Sequence, residues 1–473
     1  MRNASRNYIW LVLLQGGSIA LAFATIWLLT RKFGSQGYGG IVAVIAASQI
    51  AQVCVNWTSF SLVRFGVDEF VETQKIAKIF WTRFFILAVN IVLAFLLASF
   101  WYPYVATSFN FLPETYWLVF AHFVSLALWA HVQLSLQGAK MPRVQGFLQF
   151  LERVGILTAI IFFQSIDKLY ISSAILCYIA GSFGATVIGL YRLRSYIWAP
   201  FSVDLEFIKR VIVFSLPLLP FTVVGYFSGN HIDYVFVSRF LSTRELGVYS
   251  VAAQMNGIMM VVPTVASSLL IPLFVTLEKE DQTHKIDHFF NDVLPAMSLV
   301  WCGFCCLAGF VGFLTIPVIF GADFAGAISP WWILSAAAAA SFPVWVGYYA
   351  LSQAISATYI AMFSAIFAAI TNIAANFLLI PRFGLVGCAW ATVVTYLVSV
   401  TCFAFLLRRA GKIALSWTPL SILPAVVGAV VLTITVNAYW SLLAAATITI
   451  FLSYIYRNPI KLAFAFLRNS LEK

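Results

Sequence analysis

Long apolar runs, each broken by a short charged or glycine-containing turn, repeat along the whole chain. At helix length they mark fourteen candidate spans: 8–30, 37–63, 83–106, 115–137, 145–165, 169–191, 211–237, 246–275, 293–320, 331–352, 358–380, 384–407, 416–436 and 438–456. Each is near or above the ~20 residues that a bilayer crossing needs. The pattern predicts an all-α polytopic membrane protein. The first run, behind Arg2 and Arg6, continues through Leu29, too long for the apolar part of a secretory signal, and reads as an uncleaved first span.

Inside these runs, polar residues keep helical spacing. Span 1 carries Gln15, Ser18 and Thr25; span 2 carries Gln49, Gln52, Asn56 and Ser59. Span 4 lines up His122, Ser125, Trp129, Gln133 and Gln137, and span 5 has Gln145, Gln149, Glu152 and Arg153. Span 8 offers Ser250, Gln254, Gly257, Thr264 and Ser268, and span 11 offers Asn372 and Asn376. Polar side chains avoid lipid, so each stripe faces other helices or a wet cavity. A single amide is explained by helix-to-helix hydrogen bonding. Stripes on several helices are better explained by a water-accessible cleft.

Composition agrees with the membrane reading. Of 473 residues, 62% are apolar and 10% charged, with mean hydropathy +0.94, whereas a soluble domain is about 25% charged. The net charge of +11 comes from basic residues spread thinly between apolar runs, so membrane topology explains it and nucleic acid does not. With the N-terminus in the cytoplasm, 21 Lys and Arg fall on the cytoplasmic side and 6 on the other, and Arg153 lies inside a span. That asymmetry follows the positive-inside rule and places both termini in the cytoplasm. The seven cysteines all sit in apolar segments and read as packing residues, without a disulfide framework or metal site. No nucleotide-binding loop, catalytic constellation or metal-ligand spacing is present, which predicts a non-enzyme without cofactor.

Ionisable groups inside spans are costly, about 2.5–3.5 kcal/mol at a helix centre. Arg153 reads either as an ion pair with Glu152 or as a cavity cation. Arg64 and Arg83 sit at the cytoplasmic mouth, where they either anchor the interface or form a basic entrance. Guanidinium groups suit phosphate because their fork is planar, bidentate and always charged. Asp233, close to His231, is either a gate or coupling carboxylate or a partner for the turn residues Arg239 and Arg244.

Three segments resemble one another: "TRKFGSQGYGGIVAVIAASQIAQV" (30–53), "IDYVFVSRFLSTRELGVYSVAAQM" (232–255) and "TNIAANFLLIPRFGLVGCAWATVVTYL" (371–397). The first two lie six spans apart, which predicts two parallel, pseudo-symmetric six-helix bundles. Their limits are 1–192 and 211–410, with a cytoplasmic linker at 193–210 and two extra helices with a tail at 411–473. These blocks resemble those of polysaccharide flippases, the Wzx-type O-antigen and exopolysaccharide repeat-unit translocases of the multidrug/oligosaccharidyl-lipid/polysaccharide exporter superfamily. The last block is the most specific.

The resemblance implies a bacterial inner-membrane protein that flips an undecaprenyl-diphosphate-linked oligosaccharide by alternating access, coupled to an ion gradient. Membrane lipids surround it, and polysaccharide polymerase and chain-length proteins are candidate partners. The cavity candidates are Arg64, Arg83, Arg153, Gln52, Asn56, Gln149, Gln254 and Asn372; the gate or coupling candidates are Asp233, Glu152 and His231. Trp57, Trp129 and Tyr226 either stack on sugars or anchor the interface. Relatives often follow the span-7 aspartate with a basic residue, whereas Asp233 here precedes Tyr234. The alternative is a proton- or sodium-coupled drug/cation antiporter of the same superfamily. Many of these use a carboxylate in span 1 or 7; span 1 here has none, and Asp233 keeps the option open. A scramblase or scaffold is a further reading.

Overall fold

Helices carry the whole architecture, and no strand occurs among the described residues. The computed structural model describes residues 2–198, 204–216, 219, 222 and 230–410, with the backbone course alone for residues 2–13, 230, 268, 269, 272 and 299. Nine helical stretches among them are long and apolar enough to cross a membrane. Two of the nine, Leu14–Asn56 and Thr358–Arg409, each hold a pair of the expected spans, so the nine account for eleven. Spans 13 and 14, and residues 217, 218, 220, 221 and 223–229 of span 7 with Tyr226, lie outside the described residues. Side chains are distributed inside out, as in a lipid-embedded protein: Phe100 is 72% exposed, whereas Arg83 is 0% exposed. The chain is a multi-pass membrane protein.

The chain divides into two units, Met1–Gly247 and Val248–Lys473. Unit 1 runs through α1 (Arg2–Ala51), α2 (Val53–Asn56), α3 (Ser59–Thr73), α4 (Ala77–Leu96), α5 (Ala98–Phe109), α6 (Thr115–Gly138), α7 (Pro142–Ser165), α8 (Ile171–Ile197), α9 (Leu205–Ser215) and α10 (Asn230–Phe240). It ends inside the first turns of α11 (Thr243–Met259). α1 bends at Gly34, whose φ of 62° a residue without a Cβ adopts without strain. Glu69 holds the start of α4, accepting from the Lys78 and Ile79 backbone N–H groups at 2.9 and 3.0 Å. Those donors have no partner inside the helix. Lys78 also pairs with Asp204 at 2.7 Å, and Asp204 caps α9 by accepting from the Phe207 N–H. Hydrogen bonding from Lys78 and from that N–H keeps the Asp204 carboxyl below its usual range.

α3 and α6 approach closely because Gly66 meets Gly138, backbone against backbone. Around that crossing Leu62, Ile79, Phe80, Val132, Leu136, Leu148 and Leu193 form an apolar core. At the elbow, α1 and the start of α11 cross through a reciprocal contact. A Cβ on Gly39 would overlap the Thr243 carbonyl and lie 3.0 Å from the Gly247 nitrogen. A Cβ on Gly247 would overlap the Ser35 carbonyl and lie 2.9 Å from the Gly39 nitrogen. The four-residue spacing is the same on both sides. Arg244 Nε adds a hydrogen bond to Ser35 Oγ at 3.3 Å.

Unit 2 continues with the rest of α11, then α12 (Val261–Lys279), α13 (Thr283–His288), α14 (Leu294–Phe320), α15 (Ile328–Pro343), α16 (Ala350–Ala354) and α17 (Thr358–Arg409). α15 is buried through its alanine run, and Trp331 donates to the Ala308 and Gly309 carbonyls of α14. α17 bends at Gly384 with φ 58°. The three resembling segments therefore share a form, helix–break–helix. In the first and third the break is a glycine directly after phenylalanine, and in the second it lies between Phe240 and Thr243.

Candidate functional site

Polar positions from several helices of unit 1 converge on one cavity of about 460 Å³. α1 and the turn behind it bring Ser18, Gln49 and Gln52, and α2 brings Asn56. α6 adds Trp129 and Gln133, α7 adds Gln149, Glu152 and Arg153, and α10 adds His231. Helical periodicity explains the convergence: Gln49, Gln52 and Asn56 follow one face, as do Gln149 and Arg153, four residues apart. Leu126 and Ala130 complete the lining. A second cavity of about 650 Å³ lies beside the Gly34 elbow among Phe33, Phe109, Phe111 and Tyr170. Its wall is mainly apolar, so the chemistry of a polar ligand belongs to the first.

Glu152 and Arg153 do not form an ion pair. The Glu152 carboxylate is buried and accepts from Trp129 Nε1 at 2.9 Å and from Ser182 Oγ at 2.7 Å. Among the described residues no carboxylate stands within ion-pairing distance of Arg153, which is half-buried on the cavity wall. Consecutive helix positions point about 100° apart, so Glu152 turns toward α6 and α8 while its neighbour stays available to a ligand. Glu152→Gln is expected to keep the fold, since an amide can accept from Trp129 and donate to Ser182. Glu152→Leu leaves two buried donors unsatisfied, at about 1–3 kcal/mol each. Thermal unfolding in detergent distinguishes the two, and equal midpoints for both variants would contradict this assignment.

The cavity thus gathers Arg153, Gln52, Asn56, Gln149, Glu152 and His231 from the residues singled out in the sequence. Arg64 is not among them; it is exposed and pairs with Asp68 one helical turn on, at 2.6 Å. Arg83 does not line the cavity either, because it is fully buried behind the wall, bonded to Asn56, Ser59 and His131. Gln254 and Asn372 belong to unit 2, where Asn372 accepts from Asn376 at 3.0 Å. Asp233 is buried on α10, at 2% exposure. Trp129 is 4% exposed and its N–H is held by Glu152, so it is a wall rather than a stacking platform. Trp57 packs against the apolar core. Ser18, Gln49 and Gln133 were visible as members of the stripes but had no feature that separated them from packing residues.

Among solved structures the chain is similar to the lipid II flippase MurJ in an inward closed conformation, at 15% identity and TM-score 0.72, covering 98% of this chain and 100% of that one. It is also similar to the inward-facing conformation of a multidrug resistance MATE family transporter of the MOP superfamily, at 14% identity and TM-score 0.63, covering 83% and 94%. A third is a mutant of the Vibrio cholerae MATE transporter VcmN, at 12% identity and TM-score 0.51, covering 86% and 99%. At such identities the likeness establishes the fold that these proteins share. No curated protein matches the chain by sequence. The family model described as polysaccharide biosynthesis protein matches residues 4–278, more than half of the sequence, and the chain belongs to that family.

Proposed function

We propose that this protein translocates a lipid-linked oligosaccharide, carried on undecaprenyl diphosphate, across the bacterial inner membrane by alternating access, with both termini in the cytoplasm. The observation that carries the reading is the Arg153 guanidinium, held on the wall of an amide-rich cavity with no carboxylate partner among the described residues. A phosphate oxygen pair matches its fork. Gln149, Gln49 and Gln133 on the same wall carry both donors and acceptors, as sugar hydroxyls do. The prenyl tail stays in the bilayer, so only the head group has to enter the cavity. Membership of a polysaccharide biosynthesis family and the shared fold with a lipid II flippase support the same cargo class.

Transport is coupled to an ion gradient in this reading, with Asp233 and His231 on α10 as the gate or coupling groups. Polysaccharide polymerase and chain-length proteins are its partners downstream. The test is reconstitution in proteoliposomes with a fluorescent undecaprenyl-diphosphate oligosaccharide, scored by the fraction that becomes accessible on the far leaflet. Translocation above protein-free vesicles supports the proposal. Failure there, with gradient-driven movement of organic cations, would establish the drug/cation antiporter instead.

A further inference from the structure

A chain of hydrogen bonds runs through the cavity wall from a guanidinium that never reaches the cavity. Arg83 on α4 is 0% exposed. Its Nη2 donates to Asn56 Oδ1 at 3.3 Å and to Ser59 Oγ at 3.1 Å. Asn56 Nδ2 donates to Gln52 Oε1 at 3.0 Å, and Gln52 Nε2 donates to the Phe123 carbonyl at 2.8 Å. Both ends of this chain are chemically one-way: a guanidinium only donates, and a backbone carbonyl only accepts. The two amides between them therefore have a forced orientation. Asn56 must turn its oxygen to Arg83, and Gln52 must turn its oxygen to Asn56.

The same argument applies to His131 on α6, which accepts from Arg83 Nη1 through Nδ1 at 2.7 Å. Its ring is therefore neutral, with the proton on Nε2. Phe80 and Phe84 cover it, with ring centroids 4.6 and 5.8 Å away. Gln52, like Asn56, lines the cavity. It uses its oxygen on Asn56 and one N–H on Phe123, and its second N–H takes part in neither bond. At that point the wall offers a donor and withholds an acceptor.

We infer that Arg83 is a positioning residue that sets the polarity of the cavity: acting through Asn56 and Gln52, it makes the wall present N–H donors and so favours cargo rich in oxygen acceptors, such as diphosphate and sugar, over organic cations that carry no acceptor. This rests on the cargo class proposed above. It also gives a role to an arginine that the cavity lining leaves out.

Asn56→Asp is the informative variant. Aspartate keeps the acceptor for Arg83 Nη2, so that bond to the buried guanidinium is retained. It has no N–H for Gln52, and it draws the second Gln52 N–H inward, away from the cavity. Affinities for undecaprenyl diphosphate and for tetraphenylphosphonium, measured on the full chain in detergent by native mass spectrometry, give the ratio of interest. For Asn56→Asp that ratio is expected to fall about tenfold, the equivalent of one hydrogen bond to a charged acceptor, with the thermal midpoint unchanged. Arg83→Lys, which retains a buried donor, is expected to keep most of the wild-type ratio. An unchanged ratio in Asn56→Asp overturns the inference alone. Parallel losses of ratio and thermal midpoint in Asn56→Asp and Arg83→Lys also overturn it, since they reduce Arg83 to a structural part. Wild-type protein that ignores undecaprenyl diphosphate but binds tetraphenylphosphonium overturns the proposed cargo, and this inference with it.

Discussion

Arg153→Ala is expected to abolish translocation of a fluorescent undecaprenyl-diphosphate oligosaccharide in proteoliposomes, while Arg64→Ala stays close to the wild-type rate. The two arginines differ in surroundings rather than in chemistry. Arg153 stands on the cavity wall among amides, and Glu152 beside it is committed to Trp129 and Ser182. A charged hydrogen bond of that kind contributes about 1.5–3 kcal/mol, and its loss lowers affinity by roughly 10- to 150-fold. Arg64 is exposed and bonded to Asp68, and such a surface pair contributes only about 0.2–1 kcal/mol, reduced further by salt. Arg153→Lys is expected to fall between, because lysine supplies the charge as a point and not as a bidentate fork. Initial rates at fixed protein density check the order. A wild-type rate in Arg153→Ala would remove the cavity from the mechanism.

Much of this site was legible in the sequence because helical spacing is a local property. The stripes on spans 1, 2, 4 and 5 each deliver residues to one cavity, among them Ser18, Gln52, Gln133 and Gln149. The breaks in the repeated segments were legible too, since a glycine after phenylalanine marks the bend at both Gly34 and Gly384. What periodicity does not encode is the rotation of one helix against the next. Arg64 and Arg83 look alike as residues at span ends, yet one faces outward and the other is sealed behind Asn56. The partners of Glu152 come from α6 and α8, 23 and 30 residues away along the chain, so adjacency suggested an ion pair with Arg153 that the fold does not make. Trp129 carries the same lesson. The resemblance left it either a sugar platform or an interface anchor, and its N–H is instead consumed by Glu152.

The crossing of Gly39 and Gly247 carries the second large effect. Gly39→Val is expected to disable transport, and Gly247→Val to do the same, although neither residue lines the polar cavity. At each position a Cβ would overlap a carbonyl oxygen of the opposing segment, Thr243 for Gly39 and Ser35 for Gly247. Backbone cannot yield as a flexible side-chain tip does, so the two segments must separate. Overpacking of this kind costs about 1–3 kcal/mol. If the crossing forms in one state of an alternating cycle, that cost depletes the state by about 5- to 150-fold. The measurement is a spin-label distance between Gln36 and Arg244, both exposed, together with the transport rate. The label distance should lengthen in either valine variant while the chain still folds. Gly40→Ala is the control, because its Cβ would meet Ile171 Cδ1 at 3.9 Å, an ordinary contact, and should leave both distance and rate unchanged. Wild-type distances and rates in the valine variants would mean that the crossing is not part of the cycle. A shortfall in Gly40→Ala equal to theirs would point to general fragility of the elbow. The reciprocal geometry predicts neither result, because the strain is confined to the two glycines that meet.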